Sequence, residues 1–355
     1  MTQAHGGNLR WASEHYGNPP GGWLDFSANI NPLGVPKVLK KELHRIVEEE
    51  LEHYPDPDCK HLREVLAHYH GLASKNVLCG NGASELLQLA LEIWPPGPYL
   101  LPVPSFVDYE QALMRGGHEP VFFPLQAAKG FVPDLEELHK GLAQCQGLVL
   151  GNPNNPTSVL LPRSELVSIL ATGKHILVDE AFLELTCAGE DNSLAGYVRE
   201  YPNLILVRAF TKSLAIPGLR LGYALGEENT LQLMKGRQVP WSVNRGALAV
   251  GDIFQQLKGY RDKTALWLRR ELDFLWRQLN HLPGITAYQP ATNFILCRYG
   301  GKVSLLQEAL AQRGILIRPC ENFRGLDQHY FRVAVRSRRE NQRLLFTMEE
   351  VLANA

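Results

Sequence analysis

Long apolar runs are missing from this chain: no stretch reaches the ~18 residues that a membrane span needs, which excludes a spanning helix. An excess of one charge is missing too, since 36 lysines and arginines face 37 aspartates and glutamates for a formal net charge of −1. Such a balance serves neither a nucleic-acid surface nor an anionic membrane, so any anion has to be bound locally. Cysteines are few, and the six present (Cys59, Cys79, Cys145, Cys187, Cys297 and Cys320) form no CxxC pair and have no histidine at ligand spacing. That pattern argues against a metal site and for small buried thiols in a reducing compartment. MTQAHGGNLRW, at the start, has neither the cationic opening nor the apolar core of a signal peptide, and a cytoplasmic protein is expected. Internal repeats and low-complexity segments are also absent.

What remains is a chain of 355 residues with 45% hydrophobic content, enough for a large core and beyond the usual single-domain size. Residues 1–34 are rich in Gly, Asn and Pro (HGGN, GNPPGG, FSANINPLG), a composition that favours an irregular arm. Pro36 opens a helical pattern running to about residue 51, HYPDPD breaks it, and a second amphipathic helix over 61–69 ends at Gly71. Short apolar strands then alternate with helices: strands over 76–79, 99–103, 119–123, 147–150, 175–178, 203–207 and 221–225, helices near 107–114, 135–140, 163–170 and 229–235. This alternation predicts an α/β fold with a mostly parallel, seven-stranded sheet covered on both faces. After PWSVN comes a long helical stretch over 245–279, then strands over 293–298, 315–318 and 330–335 with helices at 304–313 and 339–352. The predicted organisation is the arm, a large domain over 35–240 and a smaller α+β domain over 241–355.

Four stretches carry candidate chemistry. RAFTKSLAIPGLRLGY holds one lysine, Lys212, between apolar runs, with Arg220 eight residues on. Burial lowers a lysine pKa, and a neutral amine attacks carbonyls; the alternative is a lysine that ends a strand and points to water. GNGASE (80–85) follows a strand and opens a helix, so its amides and Ser84 suit a phosphate, although an ordinary turn and cap looks the same. NPNNPTS (152–158) is a proline-stiffened loop that presents Asn155 at a strand end. LVDEAF puts Asp179 at the end of an apolar strand, where a carboxylate needs a cation, either a protonated pyridine nitrogen or an arginine. In open parallel sheets ligands sit outside the carboxyl ends of the strands, where all four stretches fall. Together they are the parts of a pyridoxal phosphate site: Lys212 to hold the cofactor, Asp179 for its ring nitrogen, GNGAS with Arg220 for its phosphate.

These motifs, with SANINPLG and HYPDPD, resemble the fold-type I pyridoxal phosphate enzymes of the aspartate aminotransferase class over nearly the whole chain. Within that class the chain resembles the histidinol-phosphate aminotransferase branch, and most closely its threonine-phosphate decarboxylases of cobalamin biosynthesis. The resemblance implies a covalent link from Lys212 to the cofactor, Asp179 at the pyridine nitrogen, Asn155 at the ring hydroxyl and Phe106 over the ring face. It assigns the cofactor phosphate to Gly82, Ala83, Ser84, Thr211 and Arg220. Tyr54 matches a tyrosine that reaches the phosphate in the neighbouring subunit, which implies a homodimer. Arg332 matches the arginine for the substrate carboxylate, while Arg318, His5 and Asn29 match the groups around a phosphorylated amino-acid substrate. Three positions depart from the branch: Phe182 stands where the aminotransferases have a tyrosine, Ala209 where a Ser or Thr is frequent, and Ser158 where a glycine is usual. Phe182 and HGGN favour decarboxylation of L-threonine O-3-phosphate; the alternative is transamination of histidinol phosphate.

Overall fold

The structure, a computed structural model, describes residues 6–353. Within the N-terminal arm a short strand, β1 (Leu24–Asp25), precedes the large sheet. Seven strands follow in it: β2 (Val77–Gly80), β3 (Pro98–Val103), β4 (Glu119–Pro124), β5 (Gly147–Gly151), β6 (His175–Asp179), β7 (Leu204–Ala209) and β8 (Gly222–Gly226). The C-terminal part adds β9 (Ile285–Ala287), β10 (Phe294–Tyr299), β11 (Ile315–Leu316), β12 (Arg318–Pro319) and β13 (Tyr330–Ala334).

The large sheet has the order β2-β8-β7-β6-β5-β3-β4, and only β8, antiparallel to both its neighbours, breaks the parallel run. Residues of β5 through β8 are buried almost throughout, as the continuous apolar runs of a doubly covered sheet require. One apolar cluster fills each face, and helix Ala83–Ile93 packs on one face with Leu86, Leu87 and Ala90. Register places Gly151, Asp179 and Val207 side by side, so the carboxyl ends of β5, β6 and β7 open on the same edge.

A second core lies between helices Lys258–His281 and Arg338–Ala353 and the antiparallel sheet β12-β13-β10-β9. The helical stretch expected over 245–279 divides in two, Arg245–Ile253 and Lys258–His281, around a 3-10 turn at Phe254–Leu257. Each piece serves a different core: Leu248 and Val250 point into the first, Leu268 and Leu275 into the second. The strand expected over 315–318 likewise splits, β11 pairing with β1 and β12 with β13.

Nor is the arm irregular throughout. Asn8 accepts a hydrogen bond from the Trp11 amide and caps a helix, Leu9–Tyr16, whose Ala12 packs against Ala311 and Leu316. Glycines and prolines flank this helix rather than interrupt it. Gly6 lies so close to Ser27 that a Cβ there would stand 2.1 Å from the Ser27 carbonyl oxygen.

Candidate active site

β7 runs directly into a one-turn helix, Phe210–Ser213, which carries Lys212. Asn31 holds this turn: its amide donates to the Lys212 carbonyl at 3.1 Å and its Nδ2 to the Ser213 carbonyl at 2.9 Å. The lysine side chain opens on a cavity of about 240 Å³ set deep between the two cores. Its amine is lowered to about 8, first by burial and then by the like charges of Arg332 and Arg220. Such an amine is available as a nucleophile close to neutral pH.

Asp179 closes β6 and faces the same cavity. Its Oδ1 accepts from the Ala181 amide at 2.9 Å and its Oδ2 from the Tyr109 hydroxyl at 2.9 Å. Among the described residues no cation neutralises it, and burial raises its pKa against the effect of those two donors. An arginine partner, the purely structural alternative, is not there; a cationic ligand group would remove the unfavourable burial. Tyr109 is a site residue that sequence reasoning missed. Its place in PSFVDY, three residues after Phe106 at the start of a helix, was the available signal. A hydrogen bond to a charged acceptor contributes roughly 1.5–3 kcal/mol. Tyr109→Phe is therefore expected to weaken cofactor affinity by about one to two orders of magnitude, measured by spectrophotometric titration, while leaving the fold unchanged.

Gly82 is the N-cap of helix Ala83–Ile93 and offers no capping side chain, so the first amides of that helix are free for an anion. A Cβ on Gly82 would lie 2.6 Å from Arg220 Nη2 and displace that guanidinium, and its φ of +79° favours glycine. Ala83, Ser84, Thr211 and Arg220 line this end of the cavity. Glu85 fastens the loop, accepting from the Asn81 amide at 2.7 Å and from the Ser242 hydroxyl of PWSVN at 2.7 Å. Ala209 lines the cavity with no hydroxyl to add.

On the other side, Asn155 Oδ1 accepts from Arg332 Nη1, and Arg332 Nη2 donates to the Ser27 carbonyl at 2.9 Å. Among the described residues, Arg332 Nε and Asn29 Oδ1 are buried without a hydrogen-bond partner. Buried unpaired polar atoms beside a cavity mark where a ligand's polar groups belong. Burial also lowers the Arg332 guanidinium to about 10. Arg318, from β12, lines the cavity and donates to Asn322 Oδ1 at 2.9 Å. Phe182 replaces a phenol with an apolar ring packed edge-on to Phe294, centroids 5.0 Å apart. Phe106 is half-buried at the cavity wall, edge-on to Tyr109. Ser158 adopts a left-handed φ of +64°, and its hydroxyl accepts from the Ala291 and Thr292 amides, each at 3.0 Å. Those two bonds, unavailable to a glycine, tie the Asn155 loop to the C-terminal part.

Tyr54 is not brought into this cavity. It is 84% exposed and its ring lies tilted against Trp241, centroids 5.0 Å apart, outside the lining of the Lys212 cavity. His5 lies outside the described residues. Ser27, Ala181 and Phe323 line the cavity and were not singled out from sequence.

The profile of aminotransferase classes I and II matches residues 22–347. The chain belongs to that family. It is 36% identical over 357 residues to the threonine-phosphate decarboxylase of Salmonella typhimurium, covering 99% of this chain and 97% of that protein. Among solved structures it is similar to the histidinol-phosphate aminotransferase of Clostridium acetobutylicum (TM-score 0.87, 30% identity, 93% of this chain and 99% of that one). It is also similar to the L-threonine-O-3-phosphate decarboxylase of Porphyromonas gingivalis (TM-score 0.81, 26% identity, 92% and 99%). Members of the aminotransferase family use pyridoxal 5′-phosphate, and this member's cavity fits it. Asp179 is an unneutralised buried carboxylate, the Gly82 turn is a cradle that a Cβ would fill, and Lys212 opens between them.

Proposed function

We propose that this chain is a pyridoxal phosphate-dependent carboxy-lyase that converts L-threonine O-3-phosphate and a proton into (R)-1-amino-2-propanol O-2-phosphate and CO2, a step of cobalamin biosynthesis. The observation that carries this reading is the 36% identity to a threonine-phosphate decarboxylase along 99% of the chain. Phe182 supports it, since the phenol expected of the aminotransferase branch is replaced by a ring committed to Phe294.

When bound, the cofactor supplies an electron-withdrawing ring that takes up the electron pair left as the carboxylate departs. Lys212 would hold it, and the Lys212 amine would be the group that returns a proton to Cα. Asp179, with Tyr109 donating to it, holds the proton on the ring nitrogen. Asn155 would hold the cofactor's hydroxyl and Phe106 would wall its ring. Gly82, Ala83, Ser84, Thr211 and Arg220 bind the cofactor phosphate. Arg332 receives the substrate carboxylate; Arg318, Asn29 and His5 receive its phosphate. Anchoring that remote dianion would fix how Cα is presented, so binding energy far from Cα would select the bond that breaks.

The second reading, transamination of histidinol phosphate, is favoured by the higher identity to the solved aminotransferase, 30% against 26% for the solved decarboxylase. It uses the same anchors but breaks the Cα–H bond. Purified protein offered each substrate separates the two: a phosphorylated amino alcohol and CO2 support the first, and glutamate formed from 2-oxoglutarate sinks it.

The working form is a homodimer in which Tyr54 completes the neighbour's phosphate site. Exposed Leu51, Tyr54, Val239 and Trp241 support this as an apolar surface of the kind interfaces cover. Trp241→Asp is expected to shift the sedimenting species toward half the mass and to cut activity at least tenfold; unchanged mass argues against this surface as the interface. A cytoplasmic location is supported by the substrate's chemistry and by six unpaired cysteines. Among the described residues no helix is long and apolar enough to cross a membrane.

A further inference from the structure

Ser158 holds a backbone conformation that suits glycine: its φ of +64° lies in the left-handed region that other residues seldom adopt. A serine kept there against its preference directs attention to what its side chain does. That side chain is wholly buried, and its hydroxyl accepts from the Ala291 and Thr292 amides, each at 3.0 Å. The Ser158 carbonyl takes the Ala291 amide as well, at 3.1 Å. Glycine would suit the backbone better and would give up both hydroxyl bonds.

Residues 291–293 lead into β10 and are gripped from two further sides. Thr292 Oγ1 donates to the Leu185 carbonyl at 2.8 Å and Asn293 Nδ2 to the Asn29 carbonyl at 3.1 Å, both side chains being fully buried. β10 then pairs with β13 so that Leu296 lies opposite Arg332, whose guanidinium carbon stands 5.3 Å from the centre of the Phe294 ring. Arg332 Nη1 in turn donates to Asn155 Oδ1, three residues before Ser158. The contacts close a ring that runs from Asn155 through Arg332, β13, β10 and Thr292 to Ser158, and back along the loop to Asn155.

We propose that Ser158 is a positioning residue: by clamping residues 291–292 to the Asn155 loop, its hydroxyl sets Arg332 where the guanidinium takes a ligand's carboxylate. The inference rests on the assignment of the substrate carboxylate to Arg332 made above. Ser158 is not among the residues that line the Lys212 cavity, whereas Asn155 and Arg332 are, so its influence reaches a ligand through them. Arg332 Nε has no partner among the described residues and remains a donor to offer. A ligand that carries the carboxylate therefore senses the clamp. The same skeleton without its carboxylate does not, because whatever passes through Asn155 to the cofactor affects both ligands alike.

The test compares the parent holoenzyme with Ser158→Gly, using L-threonine O-3-phosphate as substrate and 1-amino-2-propanol O-2-phosphate, which lacks the carboxylate, as inhibitor. Ser158→Gly is expected to raise KM about tenfold and to leave the inhibition constant within about twofold. In an Arg332→Lys background the same substitution should change KM by less than about twofold, since the group it acts through is already altered. Ser158→Cys, whose sulfur is a weak acceptor, gives the same comparison should the glycine variant fail to fold. An unchanged KM, an equal loss for both ligands, a full further loss in the Arg332→Lys background, or failure of both variants to fold overturns the proposal. Should the parent not decarboxylate L-threonine O-3-phosphate, the reaction reading falls. Spectral titration of parent and variant with L-glutamate and with 4-aminobutanoate, its counterpart without the α-carboxylate, then decides the role of Ser158 separately.

Discussion

Lys212→Ala is expected to lower kcat by on the order of 10⁴-fold or more and to abolish the cofactor's absorbance near ~420 nm, with the fold intact. The expectation follows from where the lysine sits. It is carried by a single helical turn held by Asn31, and its amine opens on a cavity also lined by Asp179, Arg220 and Arg332. Among the described residues no other lysine lines the cavity: Lys174 donates its Nζ to the Cys145 carbonyl, and Lys235 donates to the Pro57 carbonyl. A lost activity alone would also follow from unfolding, so the pH dependence of stability is the sharper check. Lys212 is lowered to about 8 from 10.5. Between those values the unfolded chain holds a proton that the folded chain has released, so the cofactor-free protein gains stability as pH rises through that window. In Lys212→Ala this rise should disappear, and at pH 7 the variant should melt no lower than the parent, because a disfavoured buried cation has been removed. Uptake of pyridoxal phosphate by the parent protein should quicken over the same range, with a midpoint near pH 8.

Arg208→Met is the second large effect, with an expected loss of roughly 3–5 kcal/mol measured by denaturant unfolding. Arg208 is 2% exposed and stands four residues before Lys212 on β7. Its guanidinium donates to Glu180 at 3.0 Å and to Glu190 at 2.5 Å, while Glu180 also accepts from Ser193 and from the Leu194 amide. Removing the arginine strands a buried carboxylate, which is far worse than never having had the pair. The sign with pH is fixed. Burial pushes Glu180 up to about 7 even with Arg208 present, so between pH 4.5 and 7 the folded chain binds a proton that the unfolded chain does not, and stability falls as pH rises through that range. Without Arg208 the carboxyl is driven higher still. The gap between variant and parent should therefore narrow when unfolding is repeated at pH 5, and a gap that is constant or wider at pH 5 would contradict this account of the network.

The network also shows how far sequence reached. Strand alternation sends successive side chains to opposite faces, so in DEAF the carboxylate of Asp179 turns to the cavity and that of Glu180 turns behind the sheet. Sequence marked the first, because the strand-end position and the apolar neighbours made its need for a cation visible. It did not mark the second, because the partner, Arg208, lies 28 residues on and is brought in only by pairing of β6 with β7. Tyr109 escaped for the same reason: its contact with Asp179 spans 70 residues. The α/β class and the seven strands were legible from short apolar runs that had to be buried on both faces. The arm helix Leu9–Tyr16 was not, since its apolar side is a few residues whose burial depends on Ala311 and Leu316. The division of the 245–279 helix was hidden because both pieces read as continuous amphipathic helix, and what separates them is that they face different cores.

Purified chain loaded with pyridoxal phosphate and given L-threonine O-3-phosphate labelled in its carboxyl carbon tests the proposed reaction most directly. The reading predicts that the label leaves as CO2, with a phosphorylated aminopropanol accumulating in equal amount and no requirement for an oxo acid. Label retained in the organic product, with amino transfer to 2-oxoglutarate instead, would contradict it.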